Sequence, residues 1–337
     1  MTARSGRVAR GVARPSVQFI DVCNGDADGL CAVLQWRLHA PARATLVTGL
    51  KREIALLDRM QAAPGDEVLV CDISMQRNLG ALLRLLEQGA RVRYFDHHMA
   101  SGVPTHPNLD AHIDTGSRTC TSLLMDRHLN GAFRAWALVG AYGDNLSEVA
   151  DALAESAGLG SQDRARLRLL GEAINYNAYG EDEHDVYIAP ARLYEIMARY
   201  HDPLQLLTDE PIPAELDGLR RADLLQAAAI PPHWQREHAS VRLLPDAPWS
   251  RRVIGNLANE LANAHPQQAQ AVLKATRSGD FVVSVRAPRS AAGGAAELCS
   301  RFGGTGRAGA AGIDRLPARD LDRFIQAFGT VGWGTAR

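Results

Sequence analysis

The chain has 337 residues, 46% of them hydrophobic, and a formal net charge of −1. That length and apolar content can fill two cores, and the near-zero charge excludes a global pull toward nucleic acid or membrane. No apolar run approaches the ~20 residues of a membrane span, and the five cysteines show no CxxC pairing, which points to a reducing, cytoplasmic setting rather than to disulfides or structural zinc.

The first 15 residues, with Arg4, Arg7, Arg10 and Arg14 and no acid, read as a disordered tail. Only Lys51 and Lys274 are lysines, so the arginine bias reflects overall composition first and phosphate binding second. From residue 16 short apolar runs alternate with helical segments. Val17–Cys23 reads as a strand and Gly29–Leu38 as the following helix; Thr45–Val47 is a strand, with a helix near Glu53–Gln61. Glu67–Cys71 is the next strand, then a leucine-rich helix at Leu79–Glu87 and a strand at Arg91–Phe95. Such alternation predicts an α/β domain over 16–202, a parallel sheet with helices on both faces.

Thr119–Tyr200 reads as mainly helical, broken by a loop at 175-NYNAYGEDEHD-185. The proline-rich segment 203–237 reads as a linker with one helix near Leu219–Ala228. A smaller α/β domain is expected over 238–337. Its strands are Val241–Leu244, Gln270–Lys274 and 281-FVVSVRA-287, its helices Ala291–Arg301 and Arg319–Phe328, with 303-GGTGRAGAAG-312 between the helices.

Three predicted strands end in acid. The first runs into 24-NGDADG-29, the third into 71-CD-72 and the fourth into 96-DHH-98; a further piece, 143-GDN-145, follows an apolar helix at Ala135–Ala141. Parallel strands end along one edge of a sheet, where ligands bind, so Asp26, Asp28, Asp72, Asp96, His97, His98 and Asp144 can converge. Carboxylates crowded in one crevice need either protons or cations, and oxygen donors with an imidazole suit Mn²⁺ or Mg²⁺. Asp26 and Asp28, two apart on a turn, can address adjacent ions with Asp72 between them, as in two-ion phosphoryl transfer. Each motif alone has a plainer account, since Asp is favoured at helix N-caps.

The order NGDADG, CD, FDHH, GDN and then GGxGR..AAG resembles the DHH phosphoesterases, and the C-terminal part is similar to the DHH-associated substrate-binding domain, whose signature is close to GGGHxxAAG. The resemblance runs from about residue 17 to 330. It implies a two-domain, usually Mn²⁺-dependent enzyme cutting phosphodiester or phosphomonoester bonds in the cleft between its domains. By matched position, Asp26 and Asp72 would hold one ion, and Asp28, Asp72, His97 and Asp144 the other. Asp96 would orient the site or add a ligand, and His98 would face the phosphate as donor or proton source. The backbone of Gly304 and Gly306 could cradle a phosphate that Arg286 and Arg307 clamp, although a glycine run is equally suited to tight packing.

Two positions depart from the family pattern. Asn24 replaces the His or Asp of many members, offering a weaker ligand. Arg307 replaces the histidine of GGGH, keeping a positive donor but losing a titratable one. In 117-SRTCTS-122, the hydroxyls and Arg118 could reach a phosphate at a helix N-terminus, with ordinary capping as the competing account. His184 in 181-EDEHD-185 reads as part of a solvated acidic loop rather than a ligand. The expected activity is hydrolysis of very short oligonucleotides or small nucleotides. The alternatives are a RecJ-like single-strand exonuclease, for which no aromatic–basic stripe is seen, and a nucleotide-binding regulator with weakened catalysis. No membrane partner is expected, and a homodimer stays open.

Overall fold

A computed structural model describes residues 17–334; the arginine-rich start lies outside the described residues. The first layer comprises β1 (Phe19–Asn24), α1 (Ala27–His39), β2 (Ala44–Gly49), β3 (Glu67–Cys71), α2 (Met75–Glu87), β4 (Arg91–Asp96) and β5 (Leu109–Ile113). All five strands are parallel, in the order β2-β1-β3-β4-β5. Successive side chains of a strand face opposite ways. Val22, Val70 and Tyr94 accordingly pack with Leu82, Leu85 and Leu86 of α2, whereas Cys23, Cys71 and Phe95 pack with α1 on the other face. Helices therefore cover both faces, as the near-continuous apolar strands require.

Two local expectations fail for identifiable reasons. The helix expected near Glu53–Gln61 is a single 3₁₀ turn at Leu56–Arg59. Asn78 of α2 accepts from the Leu57 N–H at 3.3 Å and donates to the Ile54 carbonyl at 2.8 Å, so backbone groups there are satisfied from outside. β5 has no counterpart among the expected strands, because Asp110 and His112 interrupt its apolar pattern; as an edge strand it tolerates them.

Seven helices follow: α3 (Thr121–His128), α4 (Arg134–Gly143), α5 (Ser147–Ser156), α6 (Ser161–Asn177), α7 (Pro190–Met197), α8 (Pro203–Asp209) and α9 (Ile212–Ala228). The segment read as a linker is thus mostly helical. Pro203, Pro211 and Pro213 lie at helix starts, where the missing N–H costs nothing, and Pro231 and Pro232 follow the end of α9. Leu224 and Ala227 of α9 share a core with Tyr176 of α6 and Ile254 and Leu257 of α10 (Pro248–Ala264), so this segment is packed between the two sheets' helices.

The second sheet contains β6 (Trp234–Arg236), β7 (Ala239–Leu244), β8 (Ala269–Ala275), β9 (Phe281–Arg286), β10 (Thr305–Gly306) and β11 (Ala310–Leu316). Its order is β10-β11-β9-β8-β7-β6, with only β7 and β8 parallel, joined through α10. One face packs on α10 and the other on α11 (Ala295–Ser300) and α12 (Leu321–Phe328). The helix expected over Ala291–Arg301 is shortened because Gly294 adopts φ +97° and starts α11 afresh.

The acidic loop after α6 ties the two layers together. Glu181 accepts from Lys274 of β8 at 2.6 Å, Asp185 from Arg251 of α10 at 2.7 Å, and Asp182 from Arg277 at 3.2 Å. His184 is solvated, as read from the sequence, but its acidic neighbours are not a free loop; they form an ionic clasp. Lys274 is buried, and a buried charge that loses its partner is costly. Glu181→Ala is expected to destabilise the fold by about 3 kcal/mol, seen as a lower urea midpoint; a change below about 1 kcal/mol, the scale of a surface pair, would show the clasp to be superficial.

Candidate metal centre

Strands β1, β3 and β4 are neighbours and end on one edge, which brings their trailing acids together. Asp26 follows β1 and caps α1, accepting from the Gly29 N–H at 3.1 Å. A Cβ on Gly29 would stand 2.3 Å from the Asn24 carbonyl oxygen, so only glycine lets the helix begin this close over the strand end. Asp28, in the first turn of α1, points at α3: its two oxygens accept from the N–H groups of Thr121 at 2.8 Å and Ser122 at 2.7 Å.

Asp72 follows β3 with φ +58°, a conformation uncommon for a residue with a side chain. Its Oδ1 accepts from the Thr121 hydroxyl at 3.2 Å and lies 3.2 Å from His97 Nε2. His97 Nε2 is also 3.8 Å from Asp28 Oδ2. Asp96 is wholly buried and committed to its neighbours: it accepts from the N–H groups of Met75, His97 and His98 and contacts His98 Nδ1 at 2.7 Å. It therefore positions His98 rather than facing the cleft. One oxygen or nitrogen from each of Asp72, His97 and His98 falls within a 4.8 Å span, and Asp144, at the end of α4, lines the same cleft. Carboxylates with imidazole in this arrangement fit a divalent cation of the Mn²⁺ or Mg²⁺ type.

Burial, together with the charges of Asp26 and Asp28, pushes the Asp72 carboxyl well above the ordinary carboxylate range. Burial alone would lower His97, but its contact with Asp72 and the field of Asp144 and Asp28 outweigh that and push it up to about 10. Asp26 goes the other way. Burial raises it, yet the Lys51 ammonium, in direct contact, holds it below the usual range. Lys51 also donates to Asn175 Oδ1 at 3.2 Å.

The opposite wall belongs to the second sheet. Arg307 reaches across so that its Nη2 lies 2.7 Å from His97 Nδ1 and 3.5 Å from Asp144 Oδ2. Arg286 lines the cleft and is held by Asn259 Oδ1 at 2.7 Å and the Ser284 hydroxyl at 3.0 Å. Gly304 and Gly306 line the cleft too, but packing already explains them: a Cβ on Gly304 would meet the Gly312 carbonyl at 2.3 Å, and one on Gly306 the Ala311 Cα at 2.4 Å. The space enclosed is about 940 Å³.

Two expected site residues do not turn their side chains to the centre. Arg118 is exposed and off the cleft, and the α3 N-terminus thought able to hold a phosphate is filled by Asp28. Asn24 borders the cleft but turns its amide to the local backbone, accepting from the Asp26 N–H at 3.3 Å and donating to the Lys51 carbonyl at 3.4 Å. Sequence reasoning missed Lys51, Arg52, Arg77 and Tyr179 on the cleft wall. Lys51 had a usable signal, being one of two lysines in an arginine-biased chain and lying just past the end of β2 at the same sheet edge.

His97, pushed up to about 10, holds a proton at neutral pH that an incoming cation must displace, and the upward push on Asp72 acts in the same direction. Mn²⁺ uptake is therefore expected to release protons at pH 7 and to tighten as pH rises. Calorimetry in two buffers of different ionisation enthalpy measures this; equal heats in both would refute it.

No family model matches the sequence, and no curated protein matches it. Solved structures do match over nearly the whole chain. A DHH-domain member of the s1p family of ribosomal proteins superposes with a TM-score of 0.59 at 13% identity, covering 93% of this chain and 86% of that one. The exonuclease RecJ bound to manganese gives 0.52 at 18% identity, with 92% and 89% covered. The pGpG-specific phosphodiesterase PggH from Vibrio cholerae gives 0.54 at 16% identity, with 92% and 97% covered.

Proposed function

We propose that this chain, which has the fold of the DHH-domain proteins, is a divalent-metal-dependent phosphoesterase that hydrolyses phosphodiester or phosphomonoester bonds of short oligonucleotides or small nucleotides. One observation carries the reading: the Asp72–His97–His98 cluster faces Arg286 and Arg307 across a single cleft. Acids on one wall bind a cation, and guanidinium groups on the other bind phosphate oxygens by charge-assisted hydrogen bonds.

A divalent ion held by Asp72, His97 and Asp144, with Asp28 beside them, would supply charge stabilisation and acidify water. The chain's own groups do the remainder. Asp96 takes the Nδ1 side of His98 and leaves Nε2 free to carry a proton to the departing oxygen. Arg307 is placed to leave His97 for a substrate phosphate when a cation takes up that ring, and Arg286 can hold the next phosphate or the sugar edge.

Cleft size favours a short substrate. At about 940 Å³ it sits at the top of the ~300–1,000 Å³ range of small-ligand pockets. Among the described residues Tyr179 is the only Phe, Tyr or Trp on its walls, which offers no platform for a long stacked strand. The five buried, unpaired cysteines suit work in the reducing cytoplasm. A second reading, a nucleotide-binding protein with weakened catalysis, draws on Asn24, whose amide is engaged with the backbone.

Turnover of linear dinucleotides, cyclic dinucleotides and phosphoadenosine phosphate with Mn²⁺ or Mg²⁺ tests the proposal. Tight binding of one of these without turnover would favour the regulator, and preference for long single strands would favour an exonuclease. Asp72→Ala is expected to abolish hydrolysis; near-normal rates would remove this residue from the centre. Arg307→Ala is expected to raise KM by roughly 10- to 100-fold, the worth of a hydrogen bond between charged groups, with kcat little changed. A loss confined to kcat would contradict a binding role.

A further inference from the structure

We infer that Lys51 occupies the place of one of the two cations and that the centre works with a single divalent ion. This deepens the phosphoesterase reading and rests on it. The two halves of the acid cluster are provided for differently. Ligand atoms of Asp72, His97 and His98 lie within 4.8 Å of one another with no ammonium among them, and the chain cation on that side, the Arg307 guanidinium, comes from the opposite wall. Around Asp26 the cation is already part of the chain: the Lys51 ammonium sits on Oδ2 and is steadied by Asn175 Oδ1 at 3.2 Å.

The neighbouring donor is also turned away. Asn24, the third residue a cation beside Asp26 would need, is tied into the loop that carries Lys51, donating to the Lys51 carbonyl at 3.4 Å and accepting from the Asp26 N–H at 3.3 Å. The same residue thus supplies the ammonium for Asp26 and the carbonyl that engages Asn24. The Lys51 N–H donates to the Ala178 carbonyl at 2.9 Å, and Tyr179 stacks its ring 5.6 Å from Nζ, so the lysine is anchored at both its backbone and its tip.

Charge balance agrees. Asp26, Asp28, Asp72 and Asp144 bring four negative charges to the cluster, and one divalent ion with Lys51 offsets all but one of them. A second divalent ion would leave an excess of positive charge beside an ammonium already in contact with Asp26 Oδ2, which like-charge repulsion at short range disfavours. An ammonium fixed in this way still stabilises negative charge on a phosphoryl oxygen, but it cannot acidify a bound water.

The test counts ions in the full chain, stripped of metal with chelator and then titrated with Mn²⁺, by calorimetry and by electron paramagnetic resonance. One ion per chain with the spectrum of an isolated Mn²⁺ is the expected result. Two ions per chain with an exchange-coupled spectrum would overturn the inference while leaving the hydrolase reading intact. No binding would overturn both, and one ion without turnover of any nucleotide would sink only the hydrolase reading. Lys51→Met removes the charge at similar length; it is expected to raise the stoichiometry from one to two, and a folded variant that stays at one would also overturn the inference. Should that variant not fold, the count on the unaltered chain decides.

Discussion

Three carboxylates, those of Asp26, Asp28 and Asp72, are each 2–3% exposed in one corner of the molecule, and their mutual repulsion is the constraint around which the centre is built. Two like charges 4 Å apart cost about 4 kcal/mol at the effective dielectric of a protein surface. The fold answers each charge separately. Asp26 receives an ammonium, and Asp28 receives two backbone N–H groups at the positive end of α3. Asp72 receives a hydroxyl and the ring of His97, and burial with the charges of Asp26 and Asp28 outweighs them and drives its carboxyl toward the protonated form. This asymmetry singles out Asp72 as the group whose charge is left for something that is not part of the chain.

The same residue is held in an unfavourable backbone conformation, and the arrangement around it explains how that is maintained. Its N–H is tied to the Phe95 carbonyl of β4 at 3.0 Å, and the following turn is closed by Asp96, whose oxygen accepts from Met75 at the start of α2. Asp96 therefore links three pieces: the end of its own strand, the start of α2 and the ring of His98. A residue with these duties is tolerant of no substitution that removes its acceptors, yet it need touch no substrate. Strain at Asp72 and full satisfaction at Asp96 are two sides of one design, in which the second residue rigidly frames the first.

The sheet and its acidic edge were legible because both rest on local pattern. Apolar runs of strand length mark β1, β3 and β4, and acids stand just where each run stops. What escaped depends on contacts made at long range. Pro203, Pro211 and Pro213 suggest breaks until it is known that they stand at the starts of α8 and α9, which can accept them. The run EDEHD resembles a solvated loop because its partners, Lys274, Arg251 and Arg277, lie far away in sequence. Arg118 sits beside a genuine helix N-terminus, but sequence cannot say that Asp28, more than ninety positions earlier, already fills it. The glycines near Arg307 were open to two readings; for Gly304 and Gly306 packing alone excludes a side chain, while their backbone still borders the cleft.

Each of the two lysines of the chain sits on a single carboxylate oxygen. Lys274 is buried against Glu181 in the clasp, and Lys51 is partly buried against Asp26 in the centre. A guanidinium is a broad planar fork that seeks two acceptors, whereas an ammonium is a compact charge that can sit on one carboxylate oxygen. Elsewhere the chain uses arginine freely, including the paired contacts of Arg37 with Asp21, where both oxygens of one carboxylate are engaged at 2.7 and 2.6 Å. In a sequence so biased toward arginine, keeping lysine at two places marks positions where the size of the cation matters as well as its sign. At Lys274 that size lets a charge close the joint between the layers; at Lys51 it lets a charge stand within the reach of a cation site.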